Sequence, residues 1–256
     1  MSGDQPARRV TAHHLAGLVL AATTLVFAAV APPAFAAPDY DGDGAITTDC
    51  RPLDPAVHPG AVDRPDATFE DTDCDGVDGT AAQAIWVATT GDDGAVGSLQ
   101  APVRTVGHAI LAAAAASPKK AVYVEVGTYT EPIALVSGVS LYGGYLASGA
   151  RTRDQASIIA GPPGAQDTVT ANGAKGVELG LLTILGPTNT AAGASSYAIR
   201  AIAGSSLVLT QATVRGGAAG NGNAGAAGDS STIVSSPGWC GGFFLSSSGG
   251  ATCYTD

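Results

Sequence analysis

Two stretches of the chain place aspartates at every second position and close on a glycine: Asp39-x-Asp41-x-Asp43-Gly44 and Asp71-x-Asp73-x-Asp75-Gly76. Each carboxylate raises the electrostatic cost of the next, so such a run is either a solvated acidic spacer or a cation site. The spacing is that of ligand positions one, three and five of a calcium loop. Glycine at six permits the sharp turn, and a backbone carbonyl follows at seven. Here those carbonyls belong to Ala45 and Val77. Hard carboxylate oxygens without a nearby histidine or thiolate cluster favour Ca2+ over zinc or copper, and magnesium tolerates irregular geometry poorly. Two copies of the pattern argue against a spacer.

The pattern departs from an EF-hand. Position twelve of the first loop is Cys50 rather than a bidentate glutamate, with Asp49 beside it, and the intervening "RPLDPAVHPGAVDRPDATFED" is proline-rich and helix-poor. The stretch instead resembles the aspartate-rich MopE-type metal-binding repeat of secreted bacterial proteins, akin to thrombospondin type 3 repeats. The matching residues are "DYDGDG", Asp49-Cys50, Asp54-Pro55, "HPGA" at His58 to Ala61, and "DTDCDG" followed by Asp78. The resemblance spans about forty residues and implies a ligand set of Asp39, Asp41, Asp43, Ala45, Asp49, Asp71, Asp73, Asp75, Val77 and Asp78. The cysteine often found midway in that repeat is missing, which leaves Cys50 and Cys74 for one another. Copper, named for some relatives, would find only His58. Without the position-twelve glutamate, calcium affinity is expected in the weak extracellular range, about 10⁻⁴–10⁻³ M. The first loop is expected to be the weaker, because it lies near a chain end that frays.

That end is set by the leader. Arg8 and Arg9 precede an apolar run from Leu15 to Val30, and "AFA" at Ala34 to Ala36 supplies a small-residue cleavage site. Residues 1–36 therefore read as a secretory signal peptide cut before Ala37. A membrane anchor would need about 20 apolar residues, and no later segment is long and apolar enough to span a bilayer. All four cysteines lie in the exported part, as suits an oxidising compartment. Three pairings are possible; proximity favours Cys50 with Cys74 and Cys240 with Cys253.

Charge draws a domain boundary. Asp39 to Asp78 hold twelve acidic residues and two basic ones, whereas from Gly79 onward nine acids face eight bases. Residues 37–80 thus form an acidic module, and 84–216 a second, nearly neutral domain. No run of basic residues meets the phosphates of a nucleic acid, so nucleic acid is excluded as a partner.

The elements of the larger domain are short. "AIWVATTGDDGAVGSLQAPVRTVGHAILAAAAAS" reads as a strand, a glycine-rich loop and a helix, with Pro102 in its first turn. Val103, Val106 and Ile110 form a narrow apolar stripe, and Ser117-Pro118 stop the helix. "AVYVEVGTY", "PIAL" and "GVSLYGGY" follow as apolar runs between turns. "VELGLLTILG" from Val177 then aligns with "LVLTQATVRG" from Leu207 at an offset of thirty, Thr183 matching Thr213 and Gly186 matching Gly216. Short strands at such a period fit stacked coils, with the helix closing an open end where strand edges invite aggregation. An antiparallel sandwich is the alternative, although the turn dipeptides of its hairpins are scarce.

From about Ile85 to Gly216 the sequence resembles secreted bacterial proteins with a pectin-lyase-like right-handed parallel β-helix. The resemblance rests on "IWVATTGDDGAVGSLQAPVRTVGHAI", "VYVEVGTYTEPIAL", "GVSLYGGY" and Arg153-Asp154. It implies an all-β fold, a right-handed parallel β-helix with an N-terminal capping helix. Residues 217–256 form a Gly-rich, Cys-containing tail without further coils or a cap, which fits a fragment or a short family member.

The fold brings polysaccharide lyases and glycoside hydrolases as one functional class, but fold does not assign function. Hydrolases need a carboxylate pair. Past Gly79 the acids are Asp92, Asp93, Glu125, Glu131, Asp154, Asp167, Glu178, Asp229 and Asp256, and only Asp92 and Asp93 are neighbours. Arg200 and Arg215 are expected near Glu178, without a second acid. The competing class is a secreted or cell-surface calcium-binding protein, structural, adhesive or glycan-binding, held off its anchor by a calcium-stiffened stalk. Its partner would be a polysaccharide or a cell surface. Trp86, Tyr123, Tyr129, Tyr142, Tyr145, Tyr197 and Trp239 are the aromatics available for carbohydrate or for packing. Missing catalytic parts weigh toward the second class.

Overall fold

The computed structural model describes residues 38–223 and residue 225. The expected signal peptide at 1–36, the expected Cys240–Cys253 pair, Trp239, Asp229 and Asp256 therefore lie outside the described residues. Among the described residues, no helix is long and apolar enough to cross a membrane.

Among the described residues the chain is mostly β. Its strands are β1 (Ala84–Val87), β2 (Ala121–Glu125), β3 (Gly127–Thr130), β4 (Ile133–Ala134), β5 (Leu141–Tyr145), β6 (Ser157–Ala160), β7 (Asp167–Asn172), β8 (Val177–Gly180), β9 (Leu182–Leu185), β10 (Tyr197–Ile202), β11 (Leu207–Thr210) and β12 (Thr213–Arg215), with one α-helix, α1 (Val106–Ala115). The strands form three sheets, ordered β1-β2-β5-β8-β11, β12-β9-β6-β3 and β10-β7-β4. Every pairing between these strands is parallel, which removes the antiparallel sandwich. From β2 on, the chain visits the three sheets in the same order, so each strand is laid beside the strand three before it in sequence.

The thirty-residue offset is the register of the last strands. Val177 pairs with Leu207, Thr183 with Thr213, and Val169 with Ile199. Earlier pairings are mixed: Gly127 meets Ser157 at the same offset, but Leu141 meets Leu179 and Ser157 meets Leu182. The corners vary in length and the strands run from two to six residues, so the period holds across all three sheets only near the end. One corner recurs faithfully: Leu181 and Gln211, thirty apart, both take positive φ (51° and 54°) after β8 and β11. Without glycine that turn costs roughly 1–2 kcal/mol.

Alternate side chains of each strand point inward, as the pleat requires. Tyr129, Ile159 and Ile184 stack in one buried row, and Val122, Leu141 and Leu179 in another. Helix α1 packs Val106, Ala109, Ile110 and Ala113 into this core against β1, β2 and β4. It begins four residues later than Pro102 suggests. Val103 is bridged to Val87, which holds that stretch extended. Thr105 then caps the helix, its hydroxyl accepting from the His108 N–H at 3.3 Å. Glu131 accepts from the next two free N–H groups, those of Val106 (2.8 Å) and Gly107 (3.0 Å).

Candidate metal centre

The two aspartate loops fold alike, thirty-two residues apart. In the first, Asp39 accepts from the N–H groups of Gly42 (2.7 Å) and Gly44 (3.0 Å), Asp41 from Asp43 (3.4 Å), and Asp43 from Ala45 (2.7 Å). In the second, Asp71 accepts from Asp75 (3.1 Å) and Gly76 (2.8 Å), Asp73 from Asp75 (3.3 Å), and Asp75 from Val77 (3.0 Å). Gly44 and Gly76 take φ of 91° and 89°, a left-handed turn that favours glycine. The disulfide expected between Cys50 and Cys74 is formed, with Cα atoms 5.6 Å apart, and ties the end of the first loop into the second.

Their remaining oxygens differ. Ligand atoms of Asp39, Asp41 and Asp43 all lie within 4.8 Å of one another. Asp41 Oδ2 and Asp43 Oδ2 are shielded from solvent and have no hydrogen-bond donor. Desolvation holds the Asp41 carboxyl above its ordinary range, with further pushes from the charges of Asp43, Asp49 and Asp39, while the Gly42 N–H leads in lowering Asp39. In the second loop the matching oxygens are satisfied: Asp73 Oδ2 accepts from the Thr80 hydroxyl (2.8 Å), and Asp75 Oδ2 from the Ala81 N–H (2.7 Å). The second cluster is Asp63, Asp71 and Asp73.

Asp63 is absent from the sequence pattern. It lies eight residues before the loop and is brought in because its Oδ2 accepts from Gly79 (2.9 Å) and Thr72 (3.3 Å). No local spacing announces it. Burial raises both the Asp63 and the Asp75 carboxyls. Of the other expected ligands, Asp49 accepts from the Arg51 N–H (2.7 Å). Val77 is buried in an apolar cluster. Asp78 forms an ion pair with Arg151 at 2.6 Å, both side chains 2% exposed.

That ion pair belongs to a docking surface. Trp86, Tyr123 and Tyr142 stand in register across β1, β2 and β5 on the outer face of their sheet. With Tyr145 they build an aromatic floor: Trp86 meets Tyr123 and Tyr145 edge-on at 5.2 and 5.1 Å, and Tyr123 stacks on Tyr145 at 4.5 Å. Val77 packs on this floor, and the Tyr145 hydroxyl donates to the Asp78 carbonyl at 2.7 Å. Arg151 lies against Phe69, Tyr142 and Tyr145; Arg153 lies over Phe69 and donates to the Ala67 carbonyl. The second half of the acidic module is thus seated on the sheet rather than held away as a stalk. The aromatics that a carbohydrate face would use are beneath it. Tyr129 is buried too, its hydroxyl donating to the Val87 and Glu125 carbonyls; Tyr197 is 42% exposed.

Among the described residues, most acids beyond Gly79 are engaged in local contacts. Asp92 accepts from Gly94, and Asp93 from the N–H groups of Arg104 and Thr105 and from the Thr105 hydroxyl. Arg200 pairs with Asp167 at 2.8 Å, not with Glu178. Glu178 accepts instead from the hydroxyls of Tyr142 (3.1 Å) and Thr210 (2.5 Å). Arg153 grips the module rather than Asp154, whose N–H donates to Thr152.

A family model described as a protein of unknown function (DUF1565), a family associated with parallel β-helix proteins, matches residues 89–200. The match runs from the loop after β1 into β10 and contains neither aspartate loop. No curated protein and no solved structure matches the chain.

Proposed function

We propose that this is an exported calcium-binding scaffold: a right-handed parallel β-helix whose outer sheet face carries a docked calcium module, acting by binding a polysaccharide or cell-surface partner. The repeated visiting order of the three sheets supports the coil reading, and parallel crossovers are right-handed in nearly all cases. The leader pattern and the Cys50–Cys74 disulfide support export. The observation that carries the metal reading is the pair of donorless, solvent-shielded oxygens, Asp41 Oδ2 and Asp43 Oδ2, inside a three-carboxylate cluster. Buried acceptors without donors are rare, and an all-oxygen set on an irregular loop suits calcium. Asp39, Asp41 and Asp43, with the Ala45 carbonyl, would hold one ion. Asp63, Asp71 and Asp73 would hold a second.

Calcium titration of the oxidised full-length protein tests the reading. Saturable heat with a Kd on the order of 10⁻⁴–10⁻³ M and a gain in protease resistance are expected; a flat titration with neither overturns it. Incubation with pectate or alginate in calcium should give no unsaturated products above a Glu178→Gln control. Their appearance would move the protein to the lyases.

A further inference from the structure

The chain has three lysines, Lys119, Lys120 and Lys175, and the fold gathers all of them at one corner. Lys119 and Lys120 precede β2, and Lys175 precedes β8. Ser137, just before β5, joins them: its carbonyl accepts from Lys119 Nζ at 2.8 Å, and its hydroxyl oxygen accepts from the Lys175 N–H at 3.1 Å. Arg64 arrives from the acidic module. Arg64, Lys119 and Lys120 line a cleft of about 320 Å³ together with Tyr123, Ser140 and Tyr142.

Three cations line the cleft, with the Lys175 backbone at the adjoining corner, on a protein with a formal net charge of −10. Among the described residues neither these three nor Lys175 is in an ion pair; the paired arginines are Arg51, Arg151 and Arg200. Lys119 and Lys120 are each tethered by one bond to a neutral acceptor, the Ser137 and Ala82 carbonyls. Two N–H donors on each ammonium remain, and neither ammonium is in an ion pair among the described residues. Tethering lowers the ordering cost of binding. Asp63 also lines the cleft, but its Oδ2 is held by Gly79 and Thr72 and the residue belongs to the second carboxylate cluster.

We propose that this cleft is a binding site for a tetrahedral oxyanion, a phosphate or sulfate group. Ammonium groups are compact point charges that surround such a group from several directions, whereas a planar carboxylate is matched best by the fork of an arginine. The inference rests on the scaffold reading for its biological setting: it makes this corner the surface turned toward the partner.

The test titrates inorganic phosphate, sulfate and acetate, at constant ionic strength, into the full-length disulfide-bonded protein. Phosphate and sulfate should bind at least tenfold more tightly than acetate. Lys119→Gln with Lys120→Gln should lower phosphate affinity tenfold or more, and Lys175→Gln severalfold. Lys119→Gln alone, on an exposed side chain, keeps the test valid should the double variant fold poorly. Glucose 6-phosphate binding more tightly than phosphate assigns a sugar ester as the carrier; equal binding assigns the free ion. Acetate binding as tightly as phosphate, or phosphate binding untouched by the lysine substitutions, overturns the proposal. Calcium titration of the same variants should be unchanged. Phosphate binding without calcium binding sinks only the metal reading, and the converse sinks only this one.

Discussion

The two aspartate loops share a hydrogen-bonded frame and diverge immediately after their closing glycines. In the first loop the next residues are Ala45 and Ile46, and Ile46 is 44% exposed. In the second they are Val77 and Asp78, both buried against the aromatic floor and Arg151. The difference carries through to the carboxylates. The exposed loop leaves two oxygens without donors; the docked loop supplies Thr80 and Ala81 to their counterparts. One motif therefore stands once on an exposed loop with donorless oxygens and once on a docked loop whose counterpart oxygens are satisfied by the protein. A ligand pattern read along a sequence reports the turn, and the surroundings decide what the turn does.

The comparison breaks most sharply at the docked loop. Arg151→Ala leaves Asp78 buried and unpaired and should cost about 3–5 kcal/mol in chemical denaturation. The matching exposed position offers a control, since Ile46→Ala should be nearly neutral. Equal effects would mean that the second loop is not docked in solution. Reducing Cys50–Cys74 should come next, at about 3 kcal/mol, read as a lower unfolding midpoint with dithiothreitol. Gly79→Ala should follow at about 1–3 kcal/mol. At φ 90° the added Cβ would sit 2.2 Å from the Tyr123 hydroxyl oxygen and 2.6 Å from Pro65 Cγ. The counterpart in the first loop is already a threonine, Thr47.

The smallest effect is on pH. Asp41, Asp63 and Asp75 are raised above their usual value of 3.8, chiefly by desolvation. Without calcium, keeping them charged opposes folding above those raised values, and the opposition fades as pH falls through them. In the proposed reading, bound calcium would relieve the same charge at neutral pH. Its stabilising effect should therefore be full at pH 7 and shrink as pH drops toward 4. A thermal shift that stays constant over that range would contradict the shared-carboxylate account.

Much of this was legible in the sequence. The two D-x-D-x-D-G turns, the Cys50–Cys74 pairing, the thirty-residue register of β8 and β11, and the apolar stripe of α1 all follow from local spacing. What was not legible is what the fold brings together from afar. Asp63 reaches its cluster through backbone donors on Thr72 and Gly79. The aromatics of β1, β2 and β5 occupy outward positions that suit a solvent-facing ladder, and only the module over them makes them core. The same holds for the lysines: a pair at Lys119-Lys120 and one at Lys175 form no basic run, yet the corners stack them.

The most direct test of the contrast compares Asp41→Asn with Asp73→Asn in full-length oxidised protein, measuring calcium titration and metal-free thermal unfolding on each. Asp41→Asn should remove one calcium-binding event and leave the metal-free midpoint undiminished or raised, because its shielded oxygen has no protein donor and its charge opposes folding. Asp73→Asn should lower the metal-free midpoint as well, because it disturbs the bond from the Thr80 hydroxyl. Identical behaviour of the two variants, or calcium binding undiminished in Asp41→Asn, would contradict the division of the loops into an exposed one with donorless oxygens and a docked one.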